Sequence, residues 1–136
     1  MIPGDERTLV ILKPDAVTRG LIGEILSRFE KRWLHIKNMK MIQLDVEDAH
    51  AHYAEHKGKT FYSDLISSII AGPVVVLIIE GQDAVMVVRT MMGSTIPAWA
   101  DPGTIRGDMA LGVPNNLIHG SDSPESAKRE IELFYD

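Results

Sequence analysis

The stretch VVVLII, residues 74–79, sets six branched aliphatic side chains in succession directly after Gly72-Pro73. A short unbroken aliphatic run behind such a break reads as a strand. A lone strand is not stable, so the rest of the chain must supply partners for it and a covering layer. Residues 8–12, TLVIL, form a second buried-strand candidate, and residues 34–44 alternate loosely through Leu34, Ile36, Met39 and Met41 as a third. A short fourth, Asn116-Leu117-Ile118, leads into His119. Elsewhere helical spacing takes over. Leu21, Ile22, Ile25, Leu26 and Phe29 predict an amphipathic helix over 21–32. Residues 47–56 and 61–71 are helix-compatible, the second ended by Gly72-Pro73, and 84–92 is helical with Gly93 as its cap. A loop punctuated by Pro and Gly spans 94–108. Ser123-Pro124-Glu125 then starts a helix that reaches about Leu133, with an N-cap hydroxyl before a first-turn proline. This mixed order predicts an α+β sandwich, helices packed on a small sheet.

A chain of 136 residues, 45% hydrophobic and without a linker-like composition shift, internal repeat or low-complexity tract, reads as a single domain over 1–136. It has no cysteine, which excludes disulfides, thiolate catalysis and cysteine metal sites and suits a reducing compartment. MIPGDERTLV carries charges where a secretory leader needs apolar residues, and no run approaches the ~20 apolar residues of a membrane span. A soluble, cytoplasmic protein is expected. The formal charge of −5 argues against broad attraction to nucleic acid or anionic membrane, so an anionic ligand would need a local cationic pocket.

Several short motifs do not hold up. Gly58-Lys59-Thr60 imitates the end of a phosphate-binding P-loop, but Tyr53 stands where that pattern needs its first glycine. His52 and His56 are four apart and could share a helical face, yet no third metal ligand is evident and surface histidines are the expected reading. Arg106-Gly107-Asp108 spells an adhesion tripeptide in a chain with no sign of secretion. The methionines fall at apolar positions and read as core filling. Lys13, Arg89 and Arg106, with Thr95 and Thr104, are residues whose types suit anion binding if they converge. His119, at the mouth of a strand before the turn residues Gly120-Ser121-Asp122-Ser123, either faces a cleft or simply closes the strand with a backbone hydrogen bond.

The motifs LVILKPDAV (9–17), RGLIGEIL (19–26), HYAEH (52–56), AGPVV (71–75), PGTIRGD (102–108) and NLIHGSDS (116–123) closely resemble the nucleoside diphosphate kinase family, in order and over nearly the whole chain. The resemblance implies a ferredoxin-like α+β sandwich, a four-stranded antiparallel sheet with helices packed on it. It implies transfer of the γ-phosphoryl group of one nucleoside triphosphate to another nucleoside diphosphate through a phosphohistidine. His119 matches the nucleophile, Glu130 the carboxylate that orients it and Ser121 a nearby hydroxyl partner. Lys13, Tyr53, Arg89, Thr95 and Arg106 match phosphate-side residues. Phe61 and Val113, with Leu65 nearby, match apolar contacts to the base, and Lys13 and Asn116 match contacts to the ribose. Mg2+ would enter on the nucleotide phosphates, with no dedicated protein ligand.

Three departures stand out: Pro114-Asn115 where relatives often carry Gly-Arg, Trp33 in place of a turn glycine, and Trp99 in the loop before PGTIRGD, as a subunit contact or a cover for the loop. The chain ends close behind the last helix, without the longer C-terminal segment of many relatives, and keeps the loop containing Pro97. The expected assembly is a homohexamer, with a homotetramer second. Two other classes remain open. A noncatalytic nucleotide-binding regulator would lack the nucleophile or its partner, and an RNA-binding module would show an aromatic-rich strand, which is not visible here.

Overall fold

A computed structural model describes residues 5–135; Met1–Gly4 of the charged N-terminal stretch and Asp136 lie outside the described residues. Its elements run β1 (Asp5–Leu12), α1 (Pro14–Thr18), α2 (Ile22–Lys31), β2 (His35–Ile42), α3 (Val46–His52), α4 (Tyr62–Ile69), β3 (Val74–Gln82), α5 (Ala84–Met92), α6 (Ile105–Met109), β4 (Ile118–Gly120) and α7 (Pro124–Phe134). The four strands form one antiparallel sheet in the order β2-β3-β1-β4.

The aliphatic run of β3 is explained by burial on both faces. Alternate residues of the central strands point in opposite directions. Val10, Leu12, Val75, Leu77 and Ile79 therefore join Ile25 and Phe29 of α2 and Val88 and Met92 of α5 in one core. Leu9, Ile11, Val74 and Val76 join Ala49 of α3, Ile66 and Ile69 of α4 and Phe134 of α7 in the other. β3 runs past the aliphatic stretch because Glu80 sits opposite Arg7 in the ladder and takes its Nε at 2.9 Å.

Four sequence expectations shift. The helix expected over 47–56 ends at His52, and residues 54–56 form a separate 3-10 turn, so His52 and His56 do not share a helical face. The stretch expected as a continuous loop over 94–108 contains a 3-10 turn, Pro97–Trp99, and most of α6. The five-residue α1 lies in a stretch to which no element was assigned; it is set by Lys13 in extended conformation followed by Pro14 in the first turn. β2 is interrupted by a register shift between Ile36 and Asn38, which weakens its alternation.

Candidate active site

The short β4 pairs with β1 so that His119 lies opposite Ile11, on the face covered by α3, α4 and α7, while Ile118 joins the core on the other side. The imidazole thus faces the edge of the second core and is not a mere strand terminus. The backbone leading into it is tightly held. Leu117 takes a left-handed φ of 75°, with its N–H donating to Asp15 Oδ2 at 3.1 Å and its carbonyl accepting Lys13 N–H at 2.8 Å. A leucine in that conformation is strained, and the two clamps fix the residue that aims β4. Gly120 lets α5 pack close on the strand: a Cβ there would come within 2.5 Å of Met92 Sδ and 3.3 Å of Val88 Cγ1, so both side chains would have to shift.

α7 carries the partner of the imidazole. Its start is fixed by Ser123, whose hydroxyl accepts Ser126 N–H, with Pro124 behind it. About two turns on, the buried Glu130 accepts His119 Nε2–H at 2.7 Å and Ser121 Oγ–H at 2.8 Å on the same oxygen, Oε1. A carboxylate on Nε2 selects the tautomer in which that nitrogen carries the proton, leaving the Nδ1 lone pair for a ligand. Ser121 is fully buried behind Glu130 and does not line the cleft.

The cleft in front of His119 has a volume of ≈ 260 Å³, and Lys13, Arg89 and Arg106 reach it from three different elements or their edges. Lys13 Nζ donates to Pro114 O at 2.8 Å and Asn116 Oδ1 at 2.9 Å. Burial above all, with the charge of Arg106, pushes its ammonium down to about 8, while Asp15 acts the other way. Arg106 spends its guanidinium on three carbonyls, those of Asn116, Gly93 and Ile118. Burial and Arg89 push it down to about 10, so it stays charged at neutral pH. Arg89 donates to Gly120 O at 3.2 Å. Among the described residues none of these three cations has an ion-pair partner within 4 Å. Three cations gathered without direct ion pairs in a partly dry cleft of an acidic chain make a site for an anion.

The loop that delivers Arg106 is built for it. Thr104 caps α6 by accepting Gly107 N–H and donates to Asp101 O. Gly107 admits no side chain, because a Cβ would sit 2.0 Å from Asp101 O. The adhesion-like tripeptide is therefore helical, with Arg106 buried and Asp108 paired to Arg28 at 2.8 Å. Thr95 lines the cleft and its carbonyl holds Asn116 Nδ2 at 2.9 Å. Tyr53 is buried in the wall, its phenol pushed up by burial and then by Glu130, so it remains neutral. Phe61, half-exposed, and Leu65 line one side. Val113 is exposed and is not among the lining residues.

The reading of the histidines as surface groups fails for His52. It is buried, with its ring centroid 4.5 Å from that of His119 at an interplanar angle of 85°. Ala49, His52 and Tyr53 are all buried, and this i, i+3, i+4 stripe was the available signal. His50 is exposed and pairs with Tyr62, and His56 faces Lys59 while also lining the cleft. Glu55, Asp122 and Arg129 line it too, and no spacing singled them out.

The family model described as nucleoside diphosphate kinase matches residues 6–136. Curated relatives named nucleoside diphosphate kinase include one from Thermomicrobium roseum, 57% identical over 96% of this chain and 87% of its own length. Another, from Methanocaldococcus jannaschii, is 58% identical over 96% and 93%. Among solved structures, a halophilic nucleoside diphosphate kinase from Halobacterium salinarum in complex with CDP superposes with a TM-score of 0.94 at 49% identity, covering 97% of this chain and 88% of the other. An apo enzyme from Encephalitozoon cuniculi gives a TM-score of 0.94 at 38% identity, covering 96% and 88%. An oriented histidine beside unpaired cations suits phosphoryl chemistry, and on these matches the chain belongs to the nucleoside diphosphate kinase family.

Proposed function

We propose that this chain moves the γ-phosphoryl group of a nucleoside triphosphate, typically ATP, to a nucleoside diphosphate with His119 as the carrier, and so maintains NTP and dNTP pools. The observation that carries the reading is the His119–Glu130 contact of 2.7 Å at a cleft lined by Lys13, Arg89 and Arg106, none of which has an ion-pair partner within 4 Å among the described residues. The Nδ1 lone pair attacks the γ-phosphorus, the bond to the bridging oxygen breaks, and the diphosphate leaves. A second diphosphate then attacks the same phosphorus, and the electron pair of the P–N bond returns to Nδ1. Glu130 holds the Nε2 proton throughout and stabilises the positive charge that develops on the ring, with Ser121 fixing the carboxylate.

Phosphoryl transfer needs positioning and charge stabilisation more than covalent help. Lys13, Arg89 and Arg106 supply charge, and Tyr53 and Thr95 supply neutral donors. Phe61 and Leu65, with Val113 at the outer edge, present an apolar surface to the base, which tolerates any base shape. Lys13 and Asn116 take the ribose. The exposed Glu55 and Asp122 at the cleft offer oxygen donors of the kind Mg2+ accepts through water, which fits an ion arriving on the nucleotide. When bound, Mg2+ neutralises phosphate charge. A homohexamer, with a homotetramer second, and a cytoplasmic setting complete the reading. In support, Trp99 is 74% exposed beside Pro97, and no helix among the described residues is long and apolar enough to cross a membrane.

Steady-state rates over a grid of donor and acceptor concentrations test it. Parallel double-reciprocal lines are expected, and Lys13→Ala and Arg106→Ala should each lose more than tenfold in kcat/KM, about 1.4 kcal/mol or more of transition-state stabilisation. Intersecting lines would rule out a phosphorylated carrier, and undiminished kcat/KM in both variants would remove the two cations from the site.

A further inference from the structure

His52 has no role in the transfer described above, yet it is 3% exposed, lines the cleft, and neither ring nitrogen has a hydrogen-bond partner among the described residues. A buried imidazole with both nitrogens unpaired is costly and calls for a ligand. One donor atom from each of His52, His119 and Glu130 lies within 4.8 Å of the others. Two imidazoles, a carboxylate and an open side toward a cleft form a donor set that suits Zn2+ and not Mg2+. We propose that His52, His119 and Glu130 form an inhibitory zinc site.

Zn2+ bonds of about 2.0–2.1 Å in tetrahedral geometry place ligand atoms roughly 3.3 Å apart. The Nε2 to Oε1 contact of 2.7 Å therefore opens slightly and His52 turns inward. His52 is buried with its ring 4.5 Å, centroid to centroid, from that of His119, so a small rotation suffices to bring a ring nitrogen to the shared ion. The buried Glu130 carboxylate offsets the nearby cations. The inhibitory consequence rests on His119 being the phosphoryl carrier. Zn2+ entering at Nε2 displaces the ring proton, which moves to Nδ1, and the lone pair that attacks phosphorus is no longer available. The two uses of His119 exclude each other.

Calorimetric titration of the nucleotide-free protein with Zn2+ alone should give one site per chain. His52→Gln should weaken that site at least tenfold, while His50→Gln, at an exposed histidine of the same helix, leaves it unchanged. Because His52 is buried and its variant could lose the fold, nitrogen NMR of the imidazoles in the unmodified protein is the second arm. Zinc should shift the ring signals of His52 and His119 and spare His35 and His50. At fixed free Zn2+, phosphohistidine formation should fall with site occupancy in wild type, and His52→Gln should keep its own zinc-free rate. Affinity unchanged by His52→Gln together with unshifted His52 signals would overturn the site. An undiminished rate with the site full would overturn the inhibition. Zinc binding as expected in a protein that forms no phosphohistidine even without metal would uphold the site and count against the function proposed above.

Discussion

Lys13 combines three pressures on one ammonium: burial, the neighbouring Arg106 and a partial offset from Asp15, which together set it at about 8. The sign of the effect differs for stability and activity. Between about 8 and its ordinary value of 10.5 the unfolded chain holds more protons on this lysine than the folded one, so its contribution to stability rises with pH across that window. The phosphate-binding charge is lost over the same window. kcat/KM should therefore fall on an alkaline limb centred near pH 8 while the folded state does not weaken from this group. Lys13→Arg, which stays charged, should retain reduced activity but lose that limb. A limb that persists in Lys13→Arg would assign the titration elsewhere. Lys13 also shows what a sequence yields at this scale. Its type and place after a strand suggested a charge with a purpose, but its contacts with Pro114 and Asn116, about a hundred positions away, were beyond any local pattern.

Elements were legible in proportion to their length and regularity. β3 and α2 declared themselves because an unbroken aliphatic run of six and a clean 3.6-residue stripe each point to one kind of element. The five-residue α1 and α6 did not, since so short a helix cannot show a period and each is set by a few contacts at its own start: Pro14 behind Lys13, and Thr104 locked to Asp101 and Gly107. The burial of His52 followed from the stripe that it forms with Ala49 and Tyr53, not from its spacing to His56. Trp33, just past α2, has a φ of 68° and is 87% exposed, so it holds a left-handed position without packing in return. Trp33→Gly should relieve about 1–2 kcal/mol of backbone strain against about 0.5–1 kcal/mol for the added freedom of glycine in the unfolded chain. A net stabilisation of about 0.5–1 kcal/mol in urea denaturation is expected. A loss of stability would contradict the strain assigned to Trp33.

For the molecule as a whole, two layers of helix on one sheet leave β2 and β4 as edges, and a chain of net charge −5 gathers Lys13, Arg89 and Arg106 in one cleft with no ion-pair partner within 4 Å among the described residues. Met39 and Met41 are both 56% exposed on the β2 edge, and Trp99 is exposed in the turn that begins at Pro97, apolar surface that suits association. Light scattering at micromolar concentration should report an oligomer, a hexamer in first place, and a monomer would contradict the proposed assembly. The central claim concerns one atom, the Nδ1 of His119, aimed by Glu130. The direct measurement is single-turnover incorporation of label from γ-labelled ATP into acid-labile phosphohistidine, compared among wild type, Glu130→Gln and His119→Ala. The account predicts rapid labelling of wild type, slower labelling of Glu130→Gln, whose neutral amide stabilises the developing imidazolium less, and none of His119→Ala. Labelling of His119→Ala at the wild-type rate would contradict it.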